Sequence, residues 1–191
     1  MAEYDDLVSR VAIHVSPCPE KVILDAVRDV VRDFCIKTKG WIYDCPAINI
    51  DSTKDVYDLS VPEGSSPFYI WSLEGRTGRY NDSDDYFINL DGKLQFNGAV
   101  RYSKAIKPLV SLIPTKSASG FPDYIVNFFE ETIVSGAVAE LQQQPFRDWS
   151  EPNAVGIHLQ KYELGLTEAR RFRDEGLNKS KARSRVKAHY M

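Results

Sequence analysis

The feature that most constrains this chain is a change of hydrophobic period. Near both ends apolar residues recur every three or four positions, whereas from Trp41 to about Pro114 they fall into short runs separated by turn residues. A parallel nucleotide-binding sheet needs a helix between successive strands, and no helical pattern interrupts this middle stretch. The order predicts an α+β protein: a three-helix, bundle-like body, an inserted antiparallel β region, and an extended basic C-terminal tail. The expected division is 1–45 for the N-terminal segment and first helix, 46–115 for the insert, 116–175 for the second and third helices, and 176–191 for the tail.

The first helix is placed by Ser16 as N-cap, by Pro17 and Pro19 in the first turn, and by Gly40 following Lys37 and Lys39. Ile23, Ala26, Val27, Val30, Val31 and Phe34 form one stripe, with Asp25, Arg28, Asp29, Arg32 and Asp33 opposite. Strands are expected at 47–50, 56–59, 68–73, 86–90, 93–96 and 108–113. Turn chemistry separates them at 62–64, 75–78, 81–85, Asp91-Gly92 and Asn97-Gly98, and Asp91-Gly92 reads as a two-residue hairpin loop. Phe121-Pro122 introduces a second helix with Ile125, Phe128, Phe129, Ile133, Ala137 and Leu141 on one side and Pro145 at its end; Gly136 and Ala137 allow another backbone close. The third starts near Ser150, carries Val155, Leu159, Tyr162, Leu166, Ala169 and Phe172 at helical spacing, and stops at Gly176. Phe129 and Trp149 are expected to pack.

Patterns that carry chemistry do not stand out. Cys18, Cys35 and Cys45 are widely spaced and form no CxxC pair, so they read as small buried hydrophobes. His14, His158 and His189 show no ligand spacing, and Asn81–Asp85 lacks the glycine and distal glutamate of a calcium loop. GxSxG and Walker-type signatures are absent, and Gly75-Arg76-Thr77-Gly78 reads as a turn more readily than as an RNA-binding clamp. Glu130 and Glu131 are adjacent on a helix, point about 100° apart, and so make no dyad by themselves. Neither an enzyme nor a cofactor or metal site is indicated. No run reaches the roughly 18–20 apolar residues of a membrane span, and the opening MAEYDDLVSR has no secretory pattern, so synthesis in a cytoplasm is expected.

Charge is the strongest compositional signal. The whole chain is −3, but the last sixteen residues hold Lys179, Lys181, Arg183, Arg185 and Lys187 without an acid. Arg170, Arg171 and Arg173 thicken the patch just before them. Such a segment suits an acidic partner, either a protein groove or a phosphate backbone.

Several pieces together resemble one family, the head-to-tail adaptor (connector) proteins of tailed phages, or tail tubular protein A-like proteins. An early helix with an aromatic exit, VILDAVRDVVRDFCIKTKGWIYD (22–44), leads to VYDLSVPEG (56–64). FPDYIVNFFEETIVSGAVAELQQQPFRDW (121–149) is similar to the family's helix with a Gly-Ala step, and NAVGIHLQKYELGLTEARRF (153–172) to its last helix before a basic C-terminus. The likeness spans most of the chain, with 65–115 matching in texture only. It implies a virion structural protein at the head–tail junction: a homo-oligomeric ring, usually of twelve copies, beneath the portal protein, with a tail tube or nozzle protein below. The genomic DNA passes through the channel without sequence-specific binding. The resemblance further implies portal binding by Arg170, Arg171, Arg173, Lys179, Lys181, Arg183, Arg185 and Lys187. Two other classes compete with it: a head-completion protein with peptidoglycan hydrolase activity, and a nucleic-acid-binding protein using the basic tail.

Overall fold

The structure is a computed structural model and describes residues 1–51, 53–75, 78–80, 86–97 and 104–176, with the backbone alone at 75, 78–80 and 104. The turn at 81–85, Gly98, and the tail residues Lys179, Lys181, Arg183, Arg185 and Lys187 lie outside the described residues. In chain order the elements are β1 (Ala2–Glu3), α1 (Asp5–Ala12), α2 (Glu20–Thr38), β2 (Ile42–Asp44), β3 (Ile48–Ile50), β4 (Val56–Tyr57) and β5 (Ser65–Gly75). There follow β6 (Gly78–Tyr80), β7 (Tyr86–Ile88), β8 (Leu94–Phe96), β9 (Lys104–Pro114), β10 (Gly120–Phe121), α3 (Asp123–Gln142) and α4 (Pro152–Glu175). Mixed α+β architecture is thus observed, with four helices among the described residues where three were expected. The additional helix, α1, buries Leu7, Val8 and Val11. Tyr4, Leu7, Val8, Val11 and Val15 recur at helical spacing, so its signal is present in the sequence.

The expected stripe of α2 is its buried face: Ile23, Ala26, Val27, Val30, Val31 and Phe34 are all in the core. Burial of each large side chain contributes about 1.5–3 kcal/mol, which holds a valine-rich helix of only moderate intrinsic propensity. Its ends differ from the sequence reading. Ser16 does not cap; the helix begins four residues later, and Pro19 in extended backbone occupies the cap position. At the other end Lys39, not Gly40, takes the left-handed conformation, with φ of 52°, and its N–H closes on Cys35 O.

α3 is the central helix, buried nearly all round from Thr132 to Ala139. Gly136 permits this: a methyl group there would lie 2.7 Å from Val30 Cγ1 and 2.9 Å from Tyr162 Cδ2. Phe128 departs from the expected stripe and is exposed, because the backbone at Phe129 is non-helical (φ −131°, ψ 18°) and resets the phase of the face. On α4, Tyr162, Leu166 and Ala169 are buried, whereas Leu159 is exposed and Val155 half-buried.

All strand pairings are antiparallel among the described residues. The largest sheet runs β2-β9-β5-β6, with β3 also on β9; β4-β8-β7 form a smaller sheet, and β1 pairs with β10. Each expected run contains a strand, and Gly75 pairs with Gly78 across the predicted turn. The hairpin at Asp91-Gly92 has a three-residue loop instead of two. Asn89 N–H donates to Lys93 O, and Gly92, at φ 75°, supplies the left-handed third loop residue. Asn89 Oδ1 accepts the N–H groups of Asp91 and Lys93, each at 3.0 Å, which draws the longer loop shut.

Two hydrophobic cores result among the described residues. The main one joins the four helices to Val110, Leu112 and Ile113 of β9. A second, around Tyr57, Leu73, Leu94, Phe96 and Ile106, lies between the small sheet and the far half of the large one. Strands β5 and β9 serve both. β5 does so with register shifts at Phe68 and Trp71, and such bulges turn a strand's side chains onto new faces.

Candidate interaction surface at the end of α4

The sequence placed three arginines at the end of α4, and the structure separates their situations. Arg170 Nε donates to Lys37 O at 3.1 Å, and an Arg173 amino group donates to Thr38 O. Ser111 Oγ, fully buried on β9, donates to Lys39 O at 2.9 Å. Side chains from α4 and the sheet therefore satisfy successive carbonyls at the C-terminus of α2. A helix leaves these groups unpaired and they carry partial negative charge, so two guanidiniums are well matched to them.

Trp71, one of the two displaced residues of β5, extends this lock. Its Nε1 donates to Ser111 Oγ at 2.7 Å, and the Arg173 guanidinium lies over its ring, 5.1 Å from the centroid. Lys39 Nζ sits 3.4 Å from the centroid of Tyr69, and the Tyr69 and Trp71 rings meet edge-on with centroids 5.1 Å apart. Arg173 also makes a two-point contact with Asp174, and its side chain is only 16% exposed. Arg171 differs: it is exposed beside Glu168 and Glu175 on a shallow hollow that includes Phe128. Of the three arginines, Arg171 is the one without a described role in holding the fold.

Between the end of α2, the start of α3 and the last turns of α4 lies an apolar groove of about 480 Å³. Trp41, Ile42, Tyr124, Phe129 and Phe172 line it, and Gly176 stands at its edge. The Tyr124 hydroxyl is buried without a hydrogen-bond partner, and burial pushes its pKa far above the ordinary phenol value. An ionised oxygen is thereby disfavoured, and the groove offers little polar chemistry.

Other candidates resolve into packing or surface pairs. Glu130 binds Arg10 at 2.8 Å and Glu131 binds Lys161 at 3.5 Å, so the adjacent glutamates face α1 and α4 respectively. Cys35 and Cys45 are buried and Cys18 partly so; burial raises the thiol pKa of all three, of Cys35 to about 12. That is opposite to what a thiolate nucleophile needs. One encounter was invisible in the sequence: His14 and His158 meet edge-on with ring centroids 5.7 Å apart. Burial lowers the His158 pKa first, and electrostatic interaction with His14 and Lys161 lowers it further. Among the described residues no three His, Cys, Asp or Glu side chains are grouped to hold a metal ion, and no helix is long and apolar enough to cross a membrane. Neither the protein-family models nor the curated proteins compared with this sequence give a significant match.

Proposed function

We propose that this chain is a structural, non-enzymatic head-to-tail adaptor of a tailed phage, which forms a ring, of twelve copies by the family resemblance, between portal and tail around the DNA exit channel. The observation that carries the reading is apolar surface left over after the protomer has filled both cores. Ile157 and Leu164 on α4 are each 61% exposed, and Phe146, in the turn before α4, is fully exposed at φ 59°. A non-glycine residue at positive φ costs of order 1 kcal/mol, and an unburied aromatic ring offsets none of it within the monomer. Neighbouring subunits covering these side chains account for both, through the unlike faces that a closed ring requires. In this reading Arg171 and the cations Lys179, Lys181, Arg183, Arg185 and Lys187 meet acidic portal surface, while Arg170 and Arg173 set where the tail departs. The excess of acidic over basic residues before the tail disfavours a grip on passing DNA.

The test is electron microscopy and binding with a purified portal ring. The full chain should add a ring of density beneath the portal. Deletion of residues 176–191 should abolish that binding while leaving the circular dichroism of a folded subunit. Undiminished portal affinity after the deletion overturns the tail's assignment. Absence of any ring with the full chain overturns the adaptor reading.

A further inference from the structure

We infer that a polar cleft between the outer face of α2 and the turn joining β9 to β10 binds a single phosphate-type oxyanion, held by Arg28, Arg32 and Lys116. The cleft measures about 280 Å³, and Asp25, Asp29, Pro114 and Thr115 complete its lining. Arg28 carries the argument. It is half-buried, its Nε is shielded from solvent, and its guanidinium has no acceptor among the described residues. Its described contact is with the ring of Tyr4, whose centroid lies 5.4 Å from Cζ. An arginine that gives up part of its hydration is ordinarily repaid by hydrogen bonds to a carboxylate, a phosphate or carbonyl groups, and here the described protomer supplies none. Arg32 stands one turn further along the same face of α2, and one of its amino groups donates to Pro114 O. That bond fixes the guanidinium and leaves its other donors without a described acceptor. Asp25 and Asp29 lie within a turn of both arginines yet form no ion pair with them, so the two cations remain available. Lys116 adds a third cation from the turn on the opposite wall. Donors from two sides of a cleft suit a tetrahedral oxyanion, whose oxygens lie in more than one plane, whereas one guanidinium edge already satisfies a planar carboxylate. The aspartates set the limit. Three cations against two acids leave the lining at +1, which attracts one oxyanion and disfavours a polyanion such as a nucleic-acid strand. None of these residues belongs to the proposed portal-binding set, so the inference stands apart from the adaptor reading.

The experiment is isothermal titration of the full-length chain with inorganic phosphate, at an ionic strength held constant with sodium chloride. Wild type should show one saturable site. Arg28→Lys keeps the charge and loses the planar fork, and should weaken phosphate binding by about tenfold. Lys116→Gln, at an exposed turn position, leaves α2 and its packing untouched and should weaken binding severalfold even if the arginine variant folds poorly. Lys54→Gln removes the same charge from an exposed site elsewhere and should leave the affinity unchanged. Absence of saturable binding by wild type overturns the inference. So does an equal loss in Lys54→Gln and Lys116→Gln, which assigns the effect to overall charge. Acetate binding as tightly as phosphate overturns the choice of a tetrahedral oxyanion, and a short DNA duplex that binds more tightly than phosphate and loses affinity in Lys116→Gln overturns the limit to a single group. No portal is present, so these results are independent of whether the adaptor reading holds.

Discussion

Gly165 on α4 offers the sharpest test of how the helices meet. A methyl group there would lie 2.1 Å from Thr132 Oγ1, 2.4 Å from Cγ2 and 2.7 Å from Cβ of the same side chain. Ordinary contacts between heavy atoms are about 3.5–4.0 Å. Rotating Thr132 cannot relieve the overlap, because Cβ itself is struck and the side chain is buried on α3. The helices must therefore separate by about 1 Å, and overpacking of this kind costs about 1–3 kcal/mol, here at the upper end. Alanine returns about 1 kcal/mol through its better helix propensity, so Gly165→Ala should destabilise by about 2 kcal/mol. Gly156 on the same helix is an internal control. A methyl there meets nothing within 4 Å, so Gly156→Ala should stabilise by about 1 kcal/mol from propensity alone. Urea unfolding followed by far-ultraviolet circular dichroism measures both, as opposite shifts in midpoint at similar slope. Thr132→Ala should recover part of the loss in the Gly165→Ala background and not in the Gly156→Ala background. If Gly165→Ala instead raised the midpoint as Gly156→Ala does, the close approach of α3 and α4 would be refuted.

Other substitutions separate structural from surface roles. Arg173→Ala should cost about 1–2 kcal/mol, since it removes a donor to the end of α2 and the cation over Trp71, while Arg171→Ala should stay within about 0.5 kcal/mol in the same urea assay. Phe129→Ala should cost about 3–5 kcal/mol, and Trp149→Ala less, because Trp149 is only partly buried; equal losses in thermal melts would contradict this. Glu140 has its pKa raised by burial first and then by Asp29 and Asp33, so its folded value lies above its unfolded one. It therefore binds its proton more tightly when folded, and its contribution to stability is lost as pH rises through the folded pKa. Glu140→Gln should accordingly match wild type in acid and exceed it at neutral pH, and a pH series of melts showing the reverse would exclude this.

How legible the molecule was depended on how local each cause is. The α2 stripe from Ile23 to Phe34, the helix stop at Gly176 and the strand runs rest on periodicity and turn chemistry within a few residues, and they were readable. Helix α1 carried the same kind of signal at Tyr4, Leu7, Val8, Val11 and Val15. At eight residues it is a short helix, which packing stabilises more than propensity does, so periodicity alone does not establish it. The loop after Asn89 is one residue longer than the Asp-Gly pair predicts, since the Asn89 side chain, and not that pair alone, decides where the turn closes. The candidate surface was legible only as charge. The sequence showed three arginines near a basic end; it could not show that two of them terminate α2.

What the sequence alone determined is therefore the class of the fold, the buried faces of its longer helices, and a cationic end attached to an otherwise acidic chain. Tertiary structure alone decided which cations are available. Arg170 and Arg173 reach carbonyls of Lys37 and Thr38, more than 130 positions away, and the bulge at Trp71 presents the indole that Arg173 covers. Hydrophobic period is a property of neighbours along the chain. The pairing of a guanidinium with a helix terminus exists only after α2, α4 and the sheet have come together, because the partial charge at that terminus belongs to a folded helix and not to any residue in it.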